Sequence, residues 1–276
     1  MSRNISPGII THKAISFAQF LRRDPVGAVR RLRGYFRDPL FLFQMGKVGS
    51  STHRNTLQTL YHVYHLHTHE DFKLKYEGVV RRTPRLADSQ LDLITIAREP
   101  VGRKISTFFQ NLVDSPYPFG FKTREEVFEA GVEGLLERFH AWEDGVEEAT
   151  EWYDKHFAPA TGVRIYDHPF DRERGWSIVN AGQWRILLLR FSDVRSNHVE
   201  ALNQFLSDRF DPSVQIDELR SSNVSSVKWY AELMRDFRNR LAFDPDQLDR
   251  AYNSEYMRYF HTEKEIAEMR AMWRVH

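Results

Sequence analysis

Three groups of residues in this sequence could do chemistry together. The first is Lys47-Val48-Gly49-Ser50-Ser51-Thr52, a cation, a glycine and three hydroxyls in succession, shortly after the apolar run Phe41-Leu42-Phe43. That order reads as buried strand, tight turn at Gly46 and helix start. A helix N-terminus presents unpaired backbone N–H groups and the positive end of its dipole, a natural cradle for a phosphate-like anion. The second group is Arg98, with Ser106 eight residues after it. A guanidinium fork and a hydroxyl suit a second phosphate. The third is the alternating set His65, His67 and His69. Histidine titrates in the range a general base needs. Together they describe a two-phosphate ligand beside a group able to take a proton from a hydroxyl.

The elements that must position these groups alternate. Phe41-Leu42-Phe43, Val63-Tyr64-His65-Leu66-His67 and Leu91-Asp92-Leu93-Ile94-Thr95-Ile96-Ala97 read as strands, the last nearly continuous in apolar residues. Such runs belong in a parallel sheet covered on both faces. A helix from about Ser51 to Tyr61 and another opening at Pro100 lie between and after them. The expected fold is therefore α/β, a mostly parallel sheet flanked by helices, with ligands at the carboxyl ends of the strands. Further strands are expected at Val163–Tyr166 and Arg185–Phe191, with helices from Arg124 to Phe157 and from Val199 to the end. The acidic run inside the first of these, Glu125 to Glu151, reads as a solvated face, and residues 70–90 read as charged and irregular.

Bulk properties narrow the class. Lys and Arg number 39 against 38 Asp and Glu, a net charge of +1, so no general attraction to nucleic acid follows. The chain has no cysteine, which excludes disulfides, thiolate zinc sites and a cysteine nucleophile. No apolar run approaches the roughly 18 residues of a membrane span. His12 and Lys13 interrupt the early apolar segment, so no leader peptide is expected, and the expected location is cytoplasmic. Residues 1–40 form a basic arm in which Arg22, Arg23, Arg30, Arg31, Arg33 and Arg37 alternate with apolar positions. They read as amphipathic helices packed on the domain, or as a peripheral contact with anionic lipid or polymer. Residues 41–276 are expected to form one domain.

The two phosphate elements together resemble the sulfotransferases that use 3′-phosphoadenosine 5′-phosphosulfate. The loop does not fit the G-x-x-x-x-G-K-[ST] triphosphate pattern, because Lys47 precedes the second glycine. It is similar instead to the family's 5′-phosphosulfate loop, with Lys47, Val48, Gly49, Ser50, Ser51 and Thr52 in the binding places. Arg98 and Ser106 match the family's 3′-phosphate motif, about fifty residues downstream. Within the superfamily the chain looks most like bacterial capsular-polysaccharide sulfotransferase proteins, through Phe43–Thr52, Val63–His67, Phe108–Leu112, Trp152–Asp154 and Pro169–Asp171 with Gly175, and around Tyr256 to Glu265.

The resemblance implies transfer of a sulfuryl group to a hydroxyl, on a carbohydrate or polysaccharide, with adenosine 3′,5′-bisphosphate as the other product. It implies Lys47 as the charge stabiliser and a histidine near the end of the second strand as the base, His67 before His65. Glu99 stands where aspartate is usual, and Ser192-Asp193-Val194 replaces an acidic-acidic-leucine triplet. The late arginine-lysine-glycine motif is absent; Asn223 and Lys228 are the candidate substitutes. The alternatives are another P-loop nucleotide-dependent transferase or kinase, and an inactive nucleotide-binding protein of the same fold. His65, His67 and His69 with Glu70 or Asp71 also have the composition of a zinc site. No metal is expected, since phosphosulfate chemistry needs none. Trp152, Tyr153 and the loop Tyr117–Phe121 either line an acceptor cleft or pack in the core.

Overall fold

The computed structural model describes residues 39–275 except 59, 143–144, 195, 209–214 and 221–227. Residues 1–38 of the basic arm and Asn223 lie outside the described residues, and Leu40, counted with the arm, opens the first strand.

Strand β1 (Leu40–Phe43) is buried along its whole length, and helix α1 (Ser50–Leu57) follows the loop after it. Strand β2 (Val63–Leu66) leads into helix α2 (His69–Arg82), and strand β3 (Leu91–Ala97) into helix α3 (Pro100–Gln110). Helix α4 (Arg124–Ala141) is broken at Gly131, whose φ of 59° no helix interior adopts. Strands β4 (Trp176–Ala181) and β5 (Trp184–Arg190) form a hairpin. Helices α5 (His198–Ser207), α6 (Ala231–Arg240), α7 (Pro245–Tyr252), α8 (Glu255–Phe260) and α9 (Glu263–Ala271) complete the chain, with a two-stranded pair β6 (Ala242–Phe243) and β7 (Arg274–Val275).

The sheet runs β2-β1-β3-β5-β4, parallel except for β4. From β1 the chain steps to one side for β2 and then to the other for β3. The carboxyl ends of β1 and β3 therefore flank the point where strand order reverses, where open α/β sheets bind ligands. The core explains this order. β3 and β5 are buried at every position because helices cover both faces. Phe41, Phe72 and Trp184 meet at ring-centroid distances of 5.3–5.9 Å, tying β1, α2 and β5 together. Burial of each such side chain contributes about 1.5–3 kcal/mol.

Three local expectations are corrected. Residues 69–82 are a helix, not irregular: the Thr68 hydroxyl accepts from the Asp71 N–H, Glu70 and Asp71 sit in the first turn, and Arg81 and Arg82 in the last. Its buried residues, Phe72 and Val79, are too few to stand out among the charges. Val163–Tyr166 is not a strand; Ile165–Asp167 make a single tight turn. The fifth strand of the sheet is β4 instead, an edge strand only half-buried and so weakly patterned. Glu125, Glu129, Glu133 and Glu137 of α4 are exposed, as the solvated-face reading expects.

Candidate anion site at the ends of β1 and β3

The loop after β1 is shaped by two left-handed residues, Lys47 (φ 70°) and Gly49 (φ 77°). Gly49 is the N-cap of α1, and nothing larger fits there: a Cβ would lie 2.7 Å from the Phe191 ring. Among the described residues no side chain caps α1, and its first turn holds no acidic residue. Helix α3, which starts beside it, differs. Its N-terminus is closed by the Glu99 carboxylate, which accepts from the N–H groups of Val101 (2.8 Å) and Gly102 (2.6 Å). Tyr252 donates to the same carboxylate at 2.6 Å. Of the two helix ends at the switch point, α3 carries its own carboxylate cap and α1 has no acid in its first turn, which favours an anion at α1.

Arg98 joins the two strand ends. Its Nη1 donates to the Lys47 carbonyl at 2.5 Å, and its guanidinium lies 4.6 Å above the Phe191 ring. Its backbone is clamped by Tyr256, whose hydroxyl accepts from the Arg98 N–H at 2.7 Å and donates to its carbonyl at 2.8 Å. Arg103 Nε donates to the Gly46 carbonyl at 3.3 Å and its guanidinium pairs with Glu148. On the other side of the loop, His53 is fully buried with Nδ1 3.2 Å from the Gly49 carbonyl and Nε2 2.8 Å from His198 Nδ1. His198 in turn contacts the Arg190 carbonyl at 2.9 Å. Burial holds both rings neutral, pushing His53 down to about 3 and His198 to about 4. The loop is thus tied to the ends of β3 and β5.

A cavity of about 110 Å³ opens beside it, lined by Arg98, Ser106 and Lys228 together with Phe109, Tyr230 and Arg238. The structure therefore brings together Arg98 and Ser106, as their spacing predicts, and adds Lys228 from a segment more than 120 residues downstream. Lys228 also lies close enough to Lys47 to act on it. Burial, Lys228 and Arg103 together push the Lys47 ammonium down to about 8. Arg98 is pushed down to about 10, chiefly by burial, with Arg238 and Arg103 adding to it and Glu99 opposing. A half-buried group of cations that weaken one another's hold on protons is a place where an anion binds favourably. Gln44, wholly buried at the base of the loop, has no partner for either end of its amide among the described residues. Buried amides are nearly always hydrogen-bonded, so this one is available to a ligand or water.

The histidines separate. His67 donates from Nδ1 to the Gln44 carbonyl at 2.8 Å, since a carbonyl can only accept. In a neutral ring that places the proton on Nδ1 and the lone pair on Nε2. His65 packs edge-on against His67 at 4.5 Å, and burial together with His67 pushes it down to about 4. β2 ends at Leu66, so the alternation does not carry to His69, which opens α2 and faces His156. Trp152 and Tyr153 are buried in the core rather than lining a cleft. Trp152 Nε1 donates to the His67 carbonyl at 2.9 Å, and the Tyr153 hydroxyl meets Thr95 at 3.2 Å. Phe119 and Phe121 are likewise buried. Asp193, in the variant triplet, pairs with Arg190 at 2.6 Å. Arg238 is not legible in the sequence, because a basic residue in a charged helix carries no local signal.

Among the described residues no helix is long and apolar enough to cross a membrane. No curated protein and no solved structure matches the chain. Residues 134–262 match the model of one family, NKWYS, whose description is "putative capsular polysaccharide synthesis protein". The matched stretch contains Lys228, β4, β5 and the clamp residue Tyr256, and begins downstream of Lys47, Arg98 and Ser106. Over those residues the chain is similar to proteins ascribed to capsular polysaccharide synthesis.

Proposed function

We propose that this protein is a sulfotransferase of P-loop-like fold, moving a sulfuryl group from 3′-phosphoadenosine 5′-phosphosulfate to a hydroxyl of a carbohydrate, a polysaccharide by preference. The observation that carries the reading is the joining of Arg98, Ser106 and Lys228 around one cavity next to Lys47 and the uncapped start of α1. Two anionic groups on one ligand fit two adjacent cationic places better than a single triphosphate fits a loop lacking G-K-[ST]. The similarity of residues 134–262 to a capsular polysaccharide family supports the acceptor class.

In this reading Ser106, Arg98 and Lys228 hold the 3′-phosphate. Lys47 and the backbone of residues 48–52 hold the phosphosulfate. The sulfur–oxygen bond to the donor phosphate breaks as a bond to the acceptor oxygen forms, and Lys47 stabilises the charge left on the departing phosphate. His67 Nε2 takes the acceptor's proton; its Nδ1 is committed to Gln44, so the ring is oriented before substrate arrives. His65 supports the His67 ring by contact. The test is transfer of labelled sulfate from the donor to a panel of capsular polysaccharides. Transfer to at least one is expected, with His67→Ala lowering turnover by about 10² to 10⁴ while nucleotide binding persists. Near-normal turnover in His67→Ala removes the base assignment. Binding of the bisphosphate without transfer to any acceptor leaves a nucleotide-binding protein and removes the enzyme reading.

A further inference from the structure

His69 and His156 come from elements far apart in sequence and meet at the outer end of β2. His69 opens α2 behind the Thr68 cap; His156 lies in the single π-turn Tyr153–Phe157. Their Nδ1 atoms are 3.2 Å apart, and the Glu70 carboxylate is 3.1 Å from His69 Nε2. One ligand atom from each of the three lies within 4.8 Å of the others. Two Nδ1 atoms in contact can share only one proton between neutral rings. They are also spaced as two ligands of one metal are: Zn–N bonds of about 2.0–2.1 Å at a tetrahedral angle put the nitrogens about 3.3 Å apart. Both rings are half-buried and Glu70 is exposed, so its carboxylate is able to swing toward either nitrogen. The π-turn adds a residue to the helical circuit and so changes where its side chains aim, as such turns do at functional sites.

We propose that His69, Glu70 and His156 form a binding site for a divalent transition-metal cation of the zinc class, with solvent in the remaining position. Two imidazoles and a carboxylate suit zinc, and the absence of thiolates makes a copper(I) or iron–sulfur site inapplicable. None of the three lines the cationic cavity, so the site is separate from it. Its place suggests its effect. The indole of Trp152 already ties this segment to the His67 carbonyl, and a metal would fasten it a second time to the start of α2. The ion is a clasp on the backbone that carries His67. This inference does not depend on the sulfuryl-transfer reading, because its readout is metal binding.

The experiment is a zinc titration of the full chain, free of any histidine tag, against a chromophoric chelator, with cobalt(II) as a spectroscopic probe. One zinc per chain is expected, with intense visible cobalt bands of a tetrahedral site. His69→Ala and His156→Ala are expected to weaken zinc binding by about tenfold or more, whereas His168→Ala, on a different segment, keeps it. Glu70→Gln, at an exposed position, is expected to weaken binding without altering the metal-free melting temperature, which separates ligand loss from misfolding. Failure to bind zinc, or equal binding by wild type and all three ligand variants, overturns the proposal. Loss of binding in His168→Ala equal to that in His156→Ala overturns it too.

Discussion

Two groups of buried or half-buried cations sit on this sheet and are treated in opposite ways. At β5, Arg185 is held by Asp92 (3.5 Å), Asp208 (2.6 Å) and the Phe205 carbonyl (2.6 Å). Arg190 is held by Asp193 (2.6 Å), Glu265 (3.0 Å) and the Phe260 carbonyl (3.1 Å). Asp92 and Arg185 face each other in strand register, so the pair is built into the sheet. At the ends of β1 and β3 the groups that act on Lys47 are other cations, Lys228 and Arg103, and one nitrogen of the Arg98 fork donates to a backbone carbonyl. Removing a charge from water is tolerated when partners replace the water. The arginines of β5 meet that condition within the protein. The group around Lys47 meets it only in part, and an anionic ligand would complete it.

The difference can be broken by mutation, and the largest effect belongs to Lys47. Lys47→Met is expected to lower turnover by about 10²–10³, the cost of one preorganised charge-stabilising group, without lowering the melting temperature. Steady-state sulfate transfer beside a thermal melt measures both. Arg190→Met is expected to do the reverse. It strands Asp193 and Glu265, and the fold should lose about 3 kcal/mol, at the lower end of values for a broken buried pair because Glu265 is partly exposed. Denaturant unfolding reads this; an unchanged midpoint would erase the distinction between the two groups.

A smaller effect comes from pH. The folded chain holds the Lys47 proton less tightly, at about 8, than the unfolded chain does at the ordinary 10.5. Between those values the unfolded state binds more protons, so stability contributed by this residue rises with pH. Lys47→Met should remove that rise. In the other direction, a bound anion draws the Lys47 proton back. Bisphosphate binding near pH 8 should therefore take up protons, which calorimetry in buffers of different ionisation enthalpy detects. The signature should vanish in Lys47→Met.

These cation groups also show what a sequence discloses. β1, β3 and β5 are readable because both faces are buried, and unbroken apolar runs such as Leu91–Ala97 have few other meanings. β4 and α2 are not, for a common reason. An edge strand with half its residues exposed and a helix with few buried positions carry diluted patterns. In the site, Lys47 through Thr52 is legible because chemistry and local geometry share one segment. Arg98 with Ser106 is legible because a strand end and the helix that directly follows it carry the pair. Arg238 and His156 are not, since each reaches its neighbours only through tertiary packing. Even arginines with and without an ion pair among the described residues look alike in sequence: Arg98 follows an apolar strand and Arg190 ends one, and only the carboxylates folded against Arg190 tell them apart.

The most direct measurement is calorimetric titration with adenosine 3′,5′-bisphosphate and, separately, with ATP and magnesium, on wild type and Arg98→Met. The account predicts that wild type binds the bisphosphate more tightly than ATP. It also predicts that Arg98→Met loses about 2 kcal/mol of that affinity, the range of a charge-assisted contact. Preference for ATP with magnesium, or a bisphosphate affinity unmoved by Arg98→Met, would contradict it.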